Sequence, residues 1–250
     1  MTSVLPRINF HSSHLIRYLA ELDLSKDIDP ASDFADELGQ WMHFTDAIAL
    51  SSVLDSAMAR MPVQSATLRA ETAASLTAQF ERTREAMASS ITRSCAPKGG
   101  KSHIKLPLAD LEVSYAPYRQ FYEAHQRDME LSVEPLRVNL RAALAKASPR
   151  LRKLAELDAV MEKFLRERES RLLSRIALLL QKRFDTHYAA HQERITATGH
   201  ADSPAHWMQA GGWLARFCEE LQTLLLAEAE LRLQPSAGLL EAINQEENHE

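Results

Sequence analysis

The chain of 250 residues has little glycine, few aromatic residues and almost no cysteine. Seven glycines and an aromatic content of 6% disfavour a sheet-rich fold with many tight turns. The two cysteines, Cys95 and Cys218, stand far apart with no CxxC neighbour, which supports neither a disulfide framework nor a zinc knuckle and fits a reducing compartment. An excess of positive charge is missing too. Lysine and arginine number 29 against 34 aspartate and glutamate, a net charge of -5, so no bulk field draws the molecule to nucleic acid or anionic lipid. The longest aliphatic run, Ile176 to Leu180, is far too short for a membrane span. Met1 to Phe10 carries polar residues and Pro6 where a signal peptide needs an apolar stretch, so a cytoplasmic location is expected.

What is abundant is Leu, Ala, Glu, Arg and Gln, the vocabulary of helices, and the expected fold is all-α: a helical bundle with a long antiparallel helical hairpin. Proline after a polar residue marks helix starts at Asp29-Pro30, Ser148-Pro149 and Ser203-Pro204, with Pro62 a fourth. From these marks an N-terminal block over 1–94 should hold helices at His14 to Leu22, Ser32 to Arg60 with a break near Gly39, and Pro62 to Arg93. Residues 95–108, with Pro97 and Gly99-Gly100, read as a flexible linker.

Beyond the linker, Tyr118, Tyr122, His125, Met129, Val133, Leu136, Leu140 and Leu144 recur about every 3.7 residues, one face of a long helix. Pro135 inside it predicts a kink or a restart capped by Ser132. After Ser148 the series Leu154, Leu157, Met161, Phe164, Arg168, Leu172, Ile176 and Leu179 advances about 3.6 residues per step, and the helix could run to Glu193. The short joint between the two implies that they fold back on each other. A last helix, Pro204 to Leu233, supplies rings and leucines to cover the hairpin and completes the region 109–234; Pro235 ends it, and 235–250 reads as an acidic, disordered tail.

Chemistry-bearing patterns are incomplete. Cys95 to Ser102 ends like a phosphate-binding loop, but cysteine replaces the first glycine and Pro107 blocks the helix that would hold the phosphate. His187 and His191, four apart on one helix face, are the candidate metal ligands; a third ligand must come from Glu193, His200 or His206, and surface histidines near a helix end are the simpler reading. His125 with Asp128 has the spacing of an oriented base, or of an ordinary helical hydrogen bond. There is no Gly-x-Ser-x-Gly elbow, no aspartate cluster for magnesium, and the one Glu-x-x-His segment is Glu246 to His249. A non-catalytic protein without a cofactor is therefore expected.

Arg150 to Arg183 is locally basic and could track phosphates, although Glu162 with Arg166 and Glu167 with Arg171 fall at the spacing of ordinary solvated ion pairs. Trp41, Trp207 and Trp213 gather rings near glycine, as core packing or as contacts for a partner. Trp41, Arg166, Arg171, Trp207 and Trp213 are the candidate interaction residues.

Phe34 to Trp41, Thr45 to Ser51, Pro117-Tyr118-Arg119, Glu134 to Arg137, and Ser148-Pro149 followed by Leu154 to Val160 resemble a proteobacterial family of uncharacterised helical proteins, a domain of unknown function. The resemblance implies a cytoplasmic bacterial protein whose relatives tend to be encoded beside envelope proteins similar to flagellar-stator or OmpA-like components, and it transfers no catalytic residue. The expected function is an interaction or scaffold protein that binds itself or a protein partner, with a complex at the inner membrane as one such partner. The alternative is a nucleic-acid-associated regulator using the basic Arg150 to Arg183 face.

Overall fold

The computed structural model describes residues 14–22, 44–55, 66–95, 113–199 and 203–248. Every secondary element among them is a helix: α1 (His14–Glu21), α2 (Phe44–Asp55), α3 (Ala66–Cys95), α4 (Ala116–Ala147), α5 (Pro149–Thr198), α6 (Pro204–Trp207) and α7 (Trp213–Asn248). The helical periods of the sequence thus become helices, and the fold is all-α.

The joint between α4 and α5 is a single residue. Ser148 sits in an extended conformation, closes α4, and accepts a hydrogen bond from the Leu151 amide at 3.2 Å as the N-cap of α5, with Pro149 in the first helical position. Polar contacts along the pair run in opposite order, Arg137 to Asp158, Glu134 to Arg166 and Tyr115 to Ala177, so the two helices are antiparallel neighbours. At 50 residues α5 is about 75 Å long, and Gly199 ends it with φ +64, donating its amide to the Ile195 carbonyl at 2.9 Å.

Three expectations on helix boundaries are corrected. The chain does not restart at Pro135: α4 continues through it, and the Ser132 hydroxyl donates back to the Asp128 carbonyl at 2.8 Å instead of capping a new helix. Pro204 opens only a four-residue turn, because Gly211 takes φ +82 and any Cβ at Gly212 would lie 2.2 Å from the Trp207 carbonyl oxygen. Finally, α7 does not stop before Pro235 but contains it and runs to Asn248. Leu239, Leu240 and Ile243 are buried, so the apolar residues after Pro235 hold the supposed tail in the core.

The core joins the N-terminal block to the hairpin. Ala73, Leu76, Met87 and Ile91 of α3 share one cluster with Tyr118, Met129 and Leu140 of α4, Ile176 and Leu180 of α5, and Leu221, Leu224 and Leu233 of α7. Leu15 and Leu19 bring α1 onto the same core, and the Tyr18 hydroxyl donates to the Glu220 carbonyl at 3.5 Å. Cys95 is the last residue of α3 rather than the first of a linker; residues 96–108 lie outside the described residues.

Candidate functional site

At one end of the bundle the sequence brings rings together from α4, α5, α6 and α7. Phe184 meets Tyr118, Phe217 and Trp213 edge-on or tilted at centroid distances of 5.6, 5.2 and 5.3 Å, and Tyr115 joins at 5.7 Å. These offset geometries set ring edges against faces, the arrangement the ring quadrupole favours. Trp213 also stacks on His191 at 5.9 Å and packs against Trp207 at 5.5 Å. Both tryptophans are buried, Trp213 at 2% exposure, so these two interaction candidates lie in the interior. Trp41 lies outside the described residues.

The histidine pair faces inward rather than standing on the surface, with His187 half-buried. His191 is buried among the tryptophan rings, while the His187 Nε2–H donates to Glu220 Oε2 at 2.9 Å. Arg183 donates to the same carboxylate through Nε at 2.8 Å and Nη2 at 2.7 Å. Burial pushes the Glu220 carboxyl up, but hydrogen bonds from Arg183 and His187 and then their charges outweigh it and hold the group at about 2. No group of three or more His, Cys, Asp or Glu that could hold a metal occurs among the described residues.

His125, the candidate base beside Asp128, is engaged by a second helix. It is buried against Phe121, with ring centroids 4.8 Å apart, and its Nε2 lies 2.8 Å from the Ser94 hydroxyl of α3. That hydroxyl donates to the Ile91 carbonyl at 2.8 Å, so its lone pair accepts the proton of Nε2. The imidazole thus ties α3 to α4.

Sequence reasoning missed two ionic centres. Glu228 of α7 is fully buried; it accepts from the Tyr122 hydroxyl, from Gln126 Nε2 at 3.1 Å and from Arg232 Nε at 2.9 Å. Burial first, and then the Glu228 charge, push the Tyr122 phenol well above its ordinary value, so Tyr122 is the donor. At the other end of the hairpin Arg137 donates to Asp158 at 2.9 and 2.6 Å, and Arg141 bridges Asp158 at 2.6 Å to Glu162. The available signal was an acid flanked by core positions on both sides, Ala227-Glu228-Ala229, with a base four residues on.

Of the basic segment, Arg166 pairs with Glu162 at 3.2 Å and Glu134 at 3.4 Å, Arg171 pairs with Glu167 at 2.5 Å, and Arg183 pairs with Glu220. The Arg152 and Lys153 side chains donate to backbone carbonyls. Arg166 and Arg171 are exposed, as expected of a solvated face.

Large apolar side chains are exposed on α2, where Ile48 and Leu54 are each 53% exposed, and on the hairpin. Leu131 is 71% and Val138 52% exposed on α4, and Leu172 and Leu178 are more than half exposed on α5. No described helix is long and apolar enough to cross a membrane.

Fold and site together define an all-helical protein whose buried polar groups are largely engaged with one another and whose surface carries a few exposed large apolar side chains. The chain belongs to a family described as "Protein of unknown function (DUF3348)", whose model matches residues 1–245. No curated protein and no solved structure matches it.

Proposed function

We propose that this is a non-catalytic cytoplasmic interaction protein whose long hairpin presents a binding surface to a protein. The observation that carries the reading is the set of large apolar side chains exposed on the hairpin. Leu131, Val138, Leu172 and Leu178 stand in solvent on α4 and α5, where a helix that only covers a core carries polar residues. The titratable groups support it from the other side. His125, His187, Glu220, Glu228 and Tyr122 spend their hydrogen bonds on one another or on neighbouring helices, an arrangement suited to holding helices in place. The basic stripe supports a nucleic-acid reading less well, because Arg166, Arg171 and Arg183 already face carboxylates.

The test is affinity purification of the full chain from its native host with quantitative mass spectrometry, comparing wild type with a Leu131→Glu, Leu178→Glu variant. The expected outcome is a set of proteins lost from the variant, with inner-membrane complexes of the kind the resemblance implies the first to be sought. A wild type that is a strict monomer by light scattering and captures the same proteins as the doubly substituted chain overturns the proposal.

A further inference from the structure

The two cysteines, far apart in sequence, are brought to one region of the fold. Cys95 closes α3, and Cys218 stands on the second turn of α7. These two helices pack directly on each other. Both of the ends in question also lie against the opening turns of α4: the Ser94 hydroxyl is 2.8 Å from His125 Nε2, and the Phe217 ring is 5.6 Å from that of Tyr118. Cys218 is buried in the core cluster and Cys95, half-buried, packs against that cluster; both are free thiols. No other cysteine exists in the chain, so an internal disulfide has a single connectivity.

The surroundings are apolar, and each sulfur lies within electrostatic reach of its neighbours. Burial pushes the Cys95 thiol up to about 11. Burial first, and then the Cys95 charge, push the Cys218 thiol up to about 12. The Tyr118 hydroxyl, buried without a partner among the described residues, is raised by burial and next by the charge of Cys218. While the bundle is closed both sulfurs therefore stay protonated and unreactive, since the thiolate is the nucleophile. Their positions differ, however. Cys95 is a terminal residue, and helix ends open at lower cost than helix interiors, whereas Cys218 has α7 continuing on either side.

We infer that Cys95 and Cys218 form a reversible disulfide, entered through Cys95, that staples the end of α3 to α7. In a reducing compartment such a bond is transient and reports an oxidising episode.

The reaction is thiol–disulfide exchange with a small-molecule disulfide of the glutathione type. As the last turn of α3 opens, Cys95 enters water, loses its proton and attacks one sulfur of the small disulfide. A Cys95–glutathione bond forms, the small disulfide's S–S bond breaks, and one glutathione leaves as thiolate and takes up a proton. Cys218, uncovered by the same opening, attacks Cys95 Sγ; the mixed bond breaks and the second glutathione leaves with the Cys218 proton. The two cysteines lose two electrons, and the two glutathione sulfurs gain them.

The test equilibrates the full chain in mixtures of reduced and oxidised glutathione of varied ratio, quenches with an alkylating agent and reads intact mass. Wild type is expected to pass from two alkylated thiols to a single chain lighter by two hydrogens, and reductant should reverse it. Cys218→Ala should stop at a glutathione adduct on Cys95, and Cys218 in Cys95→Ser should react about tenfold more slowly than that. Amide exchange over the last turn of α3 should slow about tenfold in oxidised wild type and be unaffected by oxidant in Cys95→Ser. Two free thiols at every ratio, glutathione on each cysteine in place of the internal bond, or a bond between two chains overturns the staple. So does a Cys95→Ser chain whose Cys218 reacts as fast as Cys95 does in Cys218→Ala, or an end of α3 that exchanges equally in both redox states.

Discussion

The hairpin is held by different physics at its two ends. Near the start of α4 and the far end of α5, Tyr118, Phe184, Phe217 and Trp213 meet edge to face, and contact area dominates. Near the turn, the corresponding stretch of α4 and α5 is joined by Arg137 and Arg141 to Asp158 and Glu162, all partly screened from solvent. Rings tolerate small rotations of a helix; forked guanidinium–carboxylate pairs do not, because two nitrogens must reach two oxygens at once. Cohesion is therefore greatest at the ring end, and rotational setting is sharpest at the turn.

The largest predicted effect attacks the ring end: Phe217→Ala removes a fully buried ring touched by Tyr115, Tyr118 and Phe184 and should cost about 3–5 kcal/mol in urea unfolding. Arg232→Leu should approach that loss, about 3 kcal/mol, by leaving Glu228 buried with one fewer partner, and Arg232→Leu with Glu228→Leu should recover part of it. Asp158→Asn at the turn should cost about 1–3 kcal/mol by weakening its contacts to both arginines. Acid acts at both ends, since the Glu162 carboxyl, raised by burial but lowered more by Arg141 and Arg137, also lies below its ordinary value. The Glu220 carboxyl titrates at about 2 when folded, below its ordinary 4.5, so its contribution is complete above about 4.5 and is lost as pH falls toward 2. Wild type should lose stability across that window in chemical unfolding at stepped pH, and Glu220→Gln should flatten the loss. Smallest is Tyr118→Phe, within about 0.5 kcal/mol of wild type or more stable, because its buried hydroxyl has no hydrogen-bond partner among the described residues.

Much of the scaffold was legible in the sequence. Tyr118 to Leu144 and Leu154 to Leu179 repeat at the helical period, and Ser148-Pro149 marks where one helix yields to the next; both signals are local, and the chain obeys them. The restart read from proline at 135 and the stop read from proline at 235 misled, since each suggests an interruption on its own. Neighbouring residues overrule it: Leu136, Leu140 and Leu239 to Ile243 gain more from burial in a continuous helix than one missing amide takes away. The ionic centres were hidden for a different reason. Tyr122 and Glu228 are 106 positions apart, and only the packing of α7 beside α4 brings them together.

Because Ser148 serves both helices at the turn, it also fixes their angular phase. Each residue of an α-helix turns the chain by about 100°, so inserting one alanine after Ala147 would swing Asp158 and Glu162 away from their arginines unless α5 rewound. The corner acts as a keyway: residues can be exchanged along either arm, but the number between the arms cannot change without turning one against the other.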